Sequence, residues 1–201
     1  MLECEDVILD KARIRDWRDM YENVWSRPES ARYMFWKLTE NEEDAYHRME
    51  RTIEFEKSHD AYLVYERGSG KAIGFAGAEK VSEGVCEEAG ICLGPDYFRK
   101  GYGRQILQAL IDHCREVYHA RTFIYSSRID NIASRRLAES TGFEKLDEIS
   151  RFDERDGKTY QLIRYKKKIV VTDNLFNRGC ISLWYRPCRP HRRGRIHIGW
   201  Q

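Results

Sequence analysis

Long apolar runs are absent from this 201-residue chain. None approaches the roughly 18 residues that a membrane-crossing helix needs, which excludes helical channels and transporters. Proline is scarce, at 4 residues, and cysteine, at 6, is scattered over Cys4, Cys86, Cys92, Cys114, Cys180 and Cys188. That spacing predicts reduced thiols rather than a disulfide framework. The opening Met-Leu-Glu-Cys-Glu-Asp lacks the basic-then-apolar pattern of a signal peptide, so a cytoplasmic location and no membrane partner are expected. A Walker loop is missing too. Around Gly68-Ser69-Gly70-Lys71, Tyr65 stands where its first glycine belongs and Ala72 where a Ser or Thr should follow the lysine.

What is present is the mixture of a soluble globular protein, 34% charged against 41% hydrophobic, with a length that suits one domain. The net charge of +2 is unevenly placed, because beyond position 168 six arginines face Asp173 alone. In that stretch Trp184, Tyr185, Pro187, Pro190 and Trp200 follow neither a helical nor a strand period. We therefore expect a domain over 1–168 and a basic extension outside the fold over 169–201. Cys180, Cys188, His191 and His197 are zinc-ligand types, but their spacing matches no common zinc pattern, and no metal is expected. The arginines offer nonspecific contact to nucleic acid, which is not expected as the principal partner.

Apolar spacing predicts the element order. A strand near 7–11 leads into a helix whose Ile14, Trp17, Met20, Tyr21, Val24 and Trp25 share a face. Pro28 opens a short second helix, and Thr39 with Glu42 forms a capping box for a third that carries Ala45, Met49 and Ile53. Strands at 61–66 and 71–80 form a hairpin, and another at 86–93 is stopped by Gly94-Pro95. A helix after Gly103 places Ile106, Leu107, Leu110, Ile111, Cys114 and Val117 on one face. A strand at 122–127, a helix at 132–141 and a hairpin of 143–151 with 158–165 complete a mixed α/β order with an antiparallel first half.

The turn before the fourth helix carries Arg99, Lys100, Gly101, Tyr102, Gly103 and Arg104. Free N–H groups at a helix start, glycines that admit close approach and a macrodipole contributing about 0.3–1 kcal/mol suit a phosphate. A tight turn with ordinary basic residues is the alternative reading.

This order, with Leu93-Gly-Pro-Asp-Tyr-Phe-Arg-Lys-Gly-Tyr-Gly103, Asn131-Ile-Ala-Ser134 and Thr141-Gly-Phe143, resembles the GNAT acetyltransferase superfamily over about residues 5–166. Tyr33-Met-Phe-Trp36 and the Asn-x-x-Ser-x-x-Leu spacing are most similar to the RimJ/RimL branch, whose members acetylate protein N-termini, antibiotics or small amines. The resemblance implies a mixed, mostly antiparallel sheet flanked by helices and split between its fourth and fifth strands, with acetyl-CoA as co-substrate. It implies that the backbone of Ile91, Cys92 and Leu93 pairs with the pantetheine arm. The N–H groups from Arg99 to Arg104 would hold the pyrophosphate, Asn131 would contact the arm and Ser134 would lie near the sulfur. By itself Asn131 reads as a helix N-cap. Two positions depart from the pattern: Phe98 replaces a usual Gln or Arg, and Ala138 stands where many relatives carry the tyrosine that protonates the leaving thiolate.

Acetyl transfer to an amine needs a neutral nucleophile, and a lysine-type amine of pKa about 10.4 is protonated near neutrality, an N-terminal amine of about 7.7–8.0 much less so. A base is therefore expected, and Glu88 and Glu87 lie on the strand leading to the acetyl position. Alternation sends them to opposite faces. The resemblance favours Glu88, while a solvated strand end is the other reading of both. The developing oxyanion would meet a backbone N–H near Leu93, and the thiolate would take its proton from water, Ser134 or the amine. His47, His59, His113 and His119 read as structural, and Cys92 as a buried, inert thiol. The expected acceptor is a protein N-terminus or a small amine such as an antibiotic or polyamine, in a pocket walled by 25–36 and 153–157, on a monomer or homodimer. A non-catalytic acyl-CoA-binding module, suggested by Phe98 and Ala138, is the alternative, and a ribosome- or RNA-associated protein working through the basic tail is a third.

Overall fold

Short runs rich in Val, Ile, Tyr and Phe, separated by glycine turns, pair into one sheet. In the computed structural model, which describes residues 1–154 and 156–170, the strands are β1 (Leu2–Glu3), β2 (Val7–Asp10), β3 (Ala61–Glu66), β4 (Ala72–Ser82), β5 (Val85–Leu93), β6 (Thr122–Arg128), β7 (Glu144–Asp153) and β8 (Lys158–Lys168). Their spatial order is β1-β2-β3-β4-β5-β6-β8-β7. All neighbours are antiparallel except β5 and β6. Gly84, at φ +71°, turns the β4–β5 hairpin where a side chain would be strained.

The parallel pair is short. Val85, Cys86 and Glu87 align with Thr122, Phe123 and Ile124, and the pairing then stops although both strands continue. The register shifts between Gly77–Gly90 and Ala78–Glu88, and the extra residue Ala89 makes a bulge that bends β5 at this point. The mixed sheet with its split is thus the expected one. The gap lies between the fourth and fifth strands when the two-residue β1 is left out of the count.

Five α-helices clothe the described sheet: α1 (Trp17–Met20), α2 (Pro28–Ala31), α3 (Glu42–Glu56), α4 (Tyr102–Tyr118) and α5 (Ile132–Ser140). One core lies under α4 and α5, where Ile106, Leu107, Leu110, Ile111 and Cys114 meet Val7, Leu9, Ile73, Cys86, Phe123 and Tyr125. Val117, placed on the same face by its spacing, is exposed, because it falls in the last turn beyond the sheet. The second core lies under α1 and α3, where Met20, Trp25, Trp36 and Met49 meet Leu63, Phe75 and Cys92. Arg48 is buried in it between Trp25 and Trp36, its guanidinium 4.8 and 4.6 Å from their rings. Burial lowers its pKa to about 10.

Two local expectations change. The helix of 14–25 is a 3-10 turn, α1 and a π-helical turn over Tyr21–Trp25. The extra residue of the π turn buries Val24 and Trp25 side by side, while Ile14, in the 3-10 turn, is exposed. Asn41, not Thr39, caps α3, its Oδ1 accepting from Asp44 N at 2.9 Å. Thr39 is buried instead, and its Oγ1 accepts from Arg48 Nη1 at 3.0 Å. Ile169 packs in the first core and its N–H donates to Arg121 O at 2.9 Å. The tail from 171 onward, with the cysteines and histidines weighed as zinc ligands, lies outside the described residues.

Candidate active site

The split leaves the β6-facing edge of β5 without a strand beyond Glu87. Gly94 N–H donates to Ile73 O of β4 at 2.8 Å. In an antiparallel ladder the alternate residues then direct their N–H groups the other way, so Leu93 and Ile91 aim theirs into the split. The carbonyl of Leu93 accepts from Ser30 Oγ at 3.2 Å. Cys92 turns its thiol to the opposite core, 3.6 Å from Ser30 O, and burial pushes it up to about 12, against the pull of Arg48. A thiol so placed is no nucleophile at neutral pH.

Glu87 and Glu88 do take opposite faces. Glu87 accepts from Ser126 Oγ across the split at 2.9 Å. Glu88 follows Cys86 by two positions and shares the α4 face with Tyr125. Burial raises the Glu88 carboxyl to about 8. Neighbouring Glu87 adds to the rise, and the backbone N–H groups of Ser126, Gly90 and Ile91 act against it.

At the start of α4, Gly101 adopts φ +84° and Arg99 φ +61°, curling the backbone N–H groups of the turn toward one side. The intrahelical bonds begin only at Arg104 and Gln105, whose N–H groups donate to Gly101 O. A Cβ at Gly103 would press on Leu137 of α5, so glycine lets the two helices meet here. Two of the three cationic side chains are occupied. Lys100 Nζ lies 3.5 Å from Glu66 Oε1, and Arg104 donates to Ser140 O and Oγ at 3.2 and 3.0 Å. Tyr102 is buried, its hydroxyl on Glu66 at 2.8 Å. What the turn leaves unpaired is therefore mainly backbone, with Phe98 exposed at its edge.

Asn131 caps α5, its Oδ1 accepting from Ser134 N at 3.1 Å. This is the structural role its position suggested, and among the described residues its Nδ2 hydrogen bonds to no protein atom. Ser134 Oγ sits 2.8 Å from Tyr125 Oη. Ala138 is wholly buried in the core that holds Tyr125 and Phe143. Tyr125 is the group that sequence reasoning missed; alternation from Phe123 within the strand was the signal that it faces the helices.

Among the described residues no helix packs on the other sheet face of β6, β8 and β7. Arg164 ion-pairs with Asp147 there, and Arg128 stacks 3.5 Å from the Tyr160 ring while pairing with Asp130 at 3.2 Å. Arg151 lies 4.1 Å over Phe35. Tyr33 and Phe35 thus overhang this surface, whereas Trp25 and Trp36 belong to the core. In the acidic loop Asp153 is buried, Asp156 bonds the Tyr160 hydroxyl and Lys158 N–H, and Glu154 is exposed. Of the histidines, His113 pairs with Asp60 at 3.2 Å, a partner invisible in the sequence spacing. Among the described residues no cluster of metal-ligating side chains occurs, and no helix is long and apolar enough to cross a membrane.

A split sheet with backbone donors in its gap and a backbone nest at the following helix defines an acyl-CoA-dependent transferase. The acetyltransferase (GNAT) domain family matches residues 6–144, and the chain belongs to that family. It is accordingly an acetyl-CoA-dependent N-acetyltransferase. No curated protein matches it in sequence. Among solved structures, a GNAT-family acetyltransferase from Bacillus anthracis is 19% identical, with TM-score 0.71 over 83% of this chain and 97% of that one. An acetyltransferase from Salmonella typhimurium that modifies the N-terminal serine of a ribosomal subunit protein is 17% identical, with TM-score 0.67 over 82% and 96%. Spermidine N-acetyltransferase from Vibrio cholerae, in complex with CoA and spermine, is 14% identical, with TM-score 0.64 over 81% and 95%.

Proposed function

We propose that this enzyme acetylates a primary amine by direct attack within the split, with Glu88 as the base. The observation that carries the reading is the position of Glu88 in the gap between β5 and β6, with a carboxyl raised to about 8. A base titrating near the working pH combines a useful ionised fraction with real proton affinity. The N–H of Leu93 is aimed where a developing oxyanion needs a donor, a contact commonly worth about 2.7–4 kcal/mol. The edge of Ile91, Cys92 and Leu93 suits the amide groups of a pantetheine arm, and the turn from Arg99 to Arg104 suits the pyrophosphate. Asn131 Nδ2 is available to the arm, and Ser134 stands near the sulfur. Bound there, acetyl-CoA supplies the activated acyl group.

The acceptor approaches over the face of β6, β8 and β7 opposite α5, beneath Tyr33 and Phe35, and its amine reaches through the split to Glu88, which lies on the α4 side. A polypeptide N-terminus fits this reading better than a polyamine. On this surface Asp147, Asp130 and Asp156 are already engaged, Glu87 accepts from Ser126, and arginines lie beside them. An N-terminal amine also needs less help to lose its proton than a lysine-type amine. Release of free CoA with a panel of peptides and of small polyamines tests this. Turnover with peptides and not with polyamines is expected; turnover with polyamines alone overturns the choice of acceptor.

A further inference from the structure

Arg48 carries a guanidinium into the core under α3, where the residue is 6% exposed and, among the described residues, forms no ion pair. A cation taken out of water with no carboxylate beside it is costly, so its other contacts have to account for it. The guanidinium lies 4.8 Å from the Trp25 ring and 4.6 Å from the Trp36 ring. Its Nη1 donates to Thr39 Oγ1 at 3.0 Å and to Lys37 O at 3.3 Å. Thr39 N–H donates in turn to Trp25 O at 3.0 Å, which brings the two ends of residues 26–38 together. All these partners stand at the neck of one closed loop. Arginine suits the place, because its plane stacks on both indoles while its fork reaches a hydroxyl and a carbonyl.

The loop closed in this way lies across the split. On the β5 side, Ser30 Oγ donates to Leu93 O at 3.2 Å and Cys92 Sγ lies 3.6 Å from Ser30 O. On the far side, the Tyr33 hydroxyl donates to Asp130 O at 3.4 Å, and the Phe35 ring meets Tyr160 of β8 edge-on at 6.5 Å, with Arg151 of β7 4.1 Å over it. The two rings at the head of the loop thus overlie the half of the sheet after the split, while the neck is fastened in the half before it. Where the head stands is decided at the neck.

We propose that Arg48 is a positioning residue for the acceptor: it locks the neck of the 26–38 loop and so fixes Tyr33 and Phe35 over the mouth of the split. The inference rests on the acetyl-transfer reading given above. Arg48 touches neither substrate and acts through the loop alone. The donor's place, built from the edge of β5 and the turn before α4, does not pass through it. Releasing the lock should therefore loosen the acceptor's wall and spare the donor.

The test uses the full chain with Arg48→Met, which keeps the length of the side chain without its charge or fork, and with Thr39→Val, which removes the hydroxyl alone. Trypsin cleavage of the folded protein after Arg32 and Lys37, followed by mass spectrometry, reads opening of the loop, and cleavage after Arg115 in α4 reads unfolding of the whole domain. Relative to Arg115, loop cleavage should quicken at least about tenfold in Arg48→Met and about threefold in Thr39→Val. With the best acceptor from the panel above, the acceptor KM should rise at least about fivefold in Arg48→Met, while kcat and the KM for acetyl-CoA stay within about twofold. Should Arg48→Met fail to fold, Thr39→Val carries both readouts with the smaller effect. Loop cleavage that keeps pace with Arg115, or an unchanged acceptor KM, overturns the role of Arg48 and leaves acetyl transfer in place. A wild-type protein that releases no CoA with any acceptor overturns both.

Discussion

Strands β3 and β4 are buried on both faces over most of their length, while β7, in the same sheet, is mostly exposed, with Asp147 and Arg151 half-buried and Asp153 buried at its end. The difference follows the helices: α1, α3 and α4 enclose the half before the split, and α5 covers only one side of the half after it. Rigidity is thus concentrated where the acyl donor is expected to be gripped. The face left bare is the one where an acceptor of variable size can lie. Holding an activated thioester demands fixed backbone donors, and admitting a polypeptide end demands an opening.

Replacing one aromatic in each half probes this contrast most strongly. Phe75→Ala, in the enclosed core, should cost about 3–5 kcal/mol in urea unfolding. Phe152→Ala, with 60% of the residue exposed, should fall within about 0.5 kcal/mol. Equal losses would dissolve the distinction.

The enclosed half also buries a carboxyl. Glu56 accepts from Ala12 N at 2.6 Å, its other oxygen has no partner, and burial raises it to about 7. The folded state therefore holds its proton more tightly than the unfolded chain. That contribution is complete below about pH 4.5 and is lost as pH rises through about 7. Glu56→Gln should be nearly neutral in stability at about pH 5 and stabilising by up to about 3 kcal/mol at about pH 9, measured by denaturant unfolding. The same gain at both values would contradict the assignment.

On the open half the expected effect is smaller. Arg151→Ala should raise the KM for a peptide acceptor severalfold, by about 0.5–1 kcal/mol, and leave the KM for acetyl-CoA alone. A change confined to acetyl-CoA would place the acceptor elsewhere.

Much of this was legible in the chain itself. The strand segments, the buried stripe of α4, the glycine turn and the place where β5 stops all follow from local patterns of apolar residues, glycine and proline. Asn131 as a cap was legible for the same reason, since its partner Ser134 is three residues away. What was not legible depends on contacts distant in sequence. Thr39 lost the capping of α3 because Arg48 takes its hydroxyl into the core, and the π turn exists because Val24 and Trp25 must both be buried. Asp60 meets His113, and Glu88 comes to share a sheet face with Tyr125, only after the sheet has formed. The departures at Phe98 and Ala138 were visible as missing side chains; that a buried tyrosine lies beside Ala138 required the fold.

The central claim is that Glu88, standing in the split, accepts the proton of the attacking amine. Turnover at saturating acetyl-CoA and acceptor, measured from about pH 6 to 10 on the wild type and on Glu88→Gln, tests it directly. The wild-type rate should rise through an inflection near pH 8. The variant should lose that inflection and at least about 100-fold in rate, while its thermal shift with acetyl-CoA is unchanged. A variant that retains both the rate and the inflection would contradict the account.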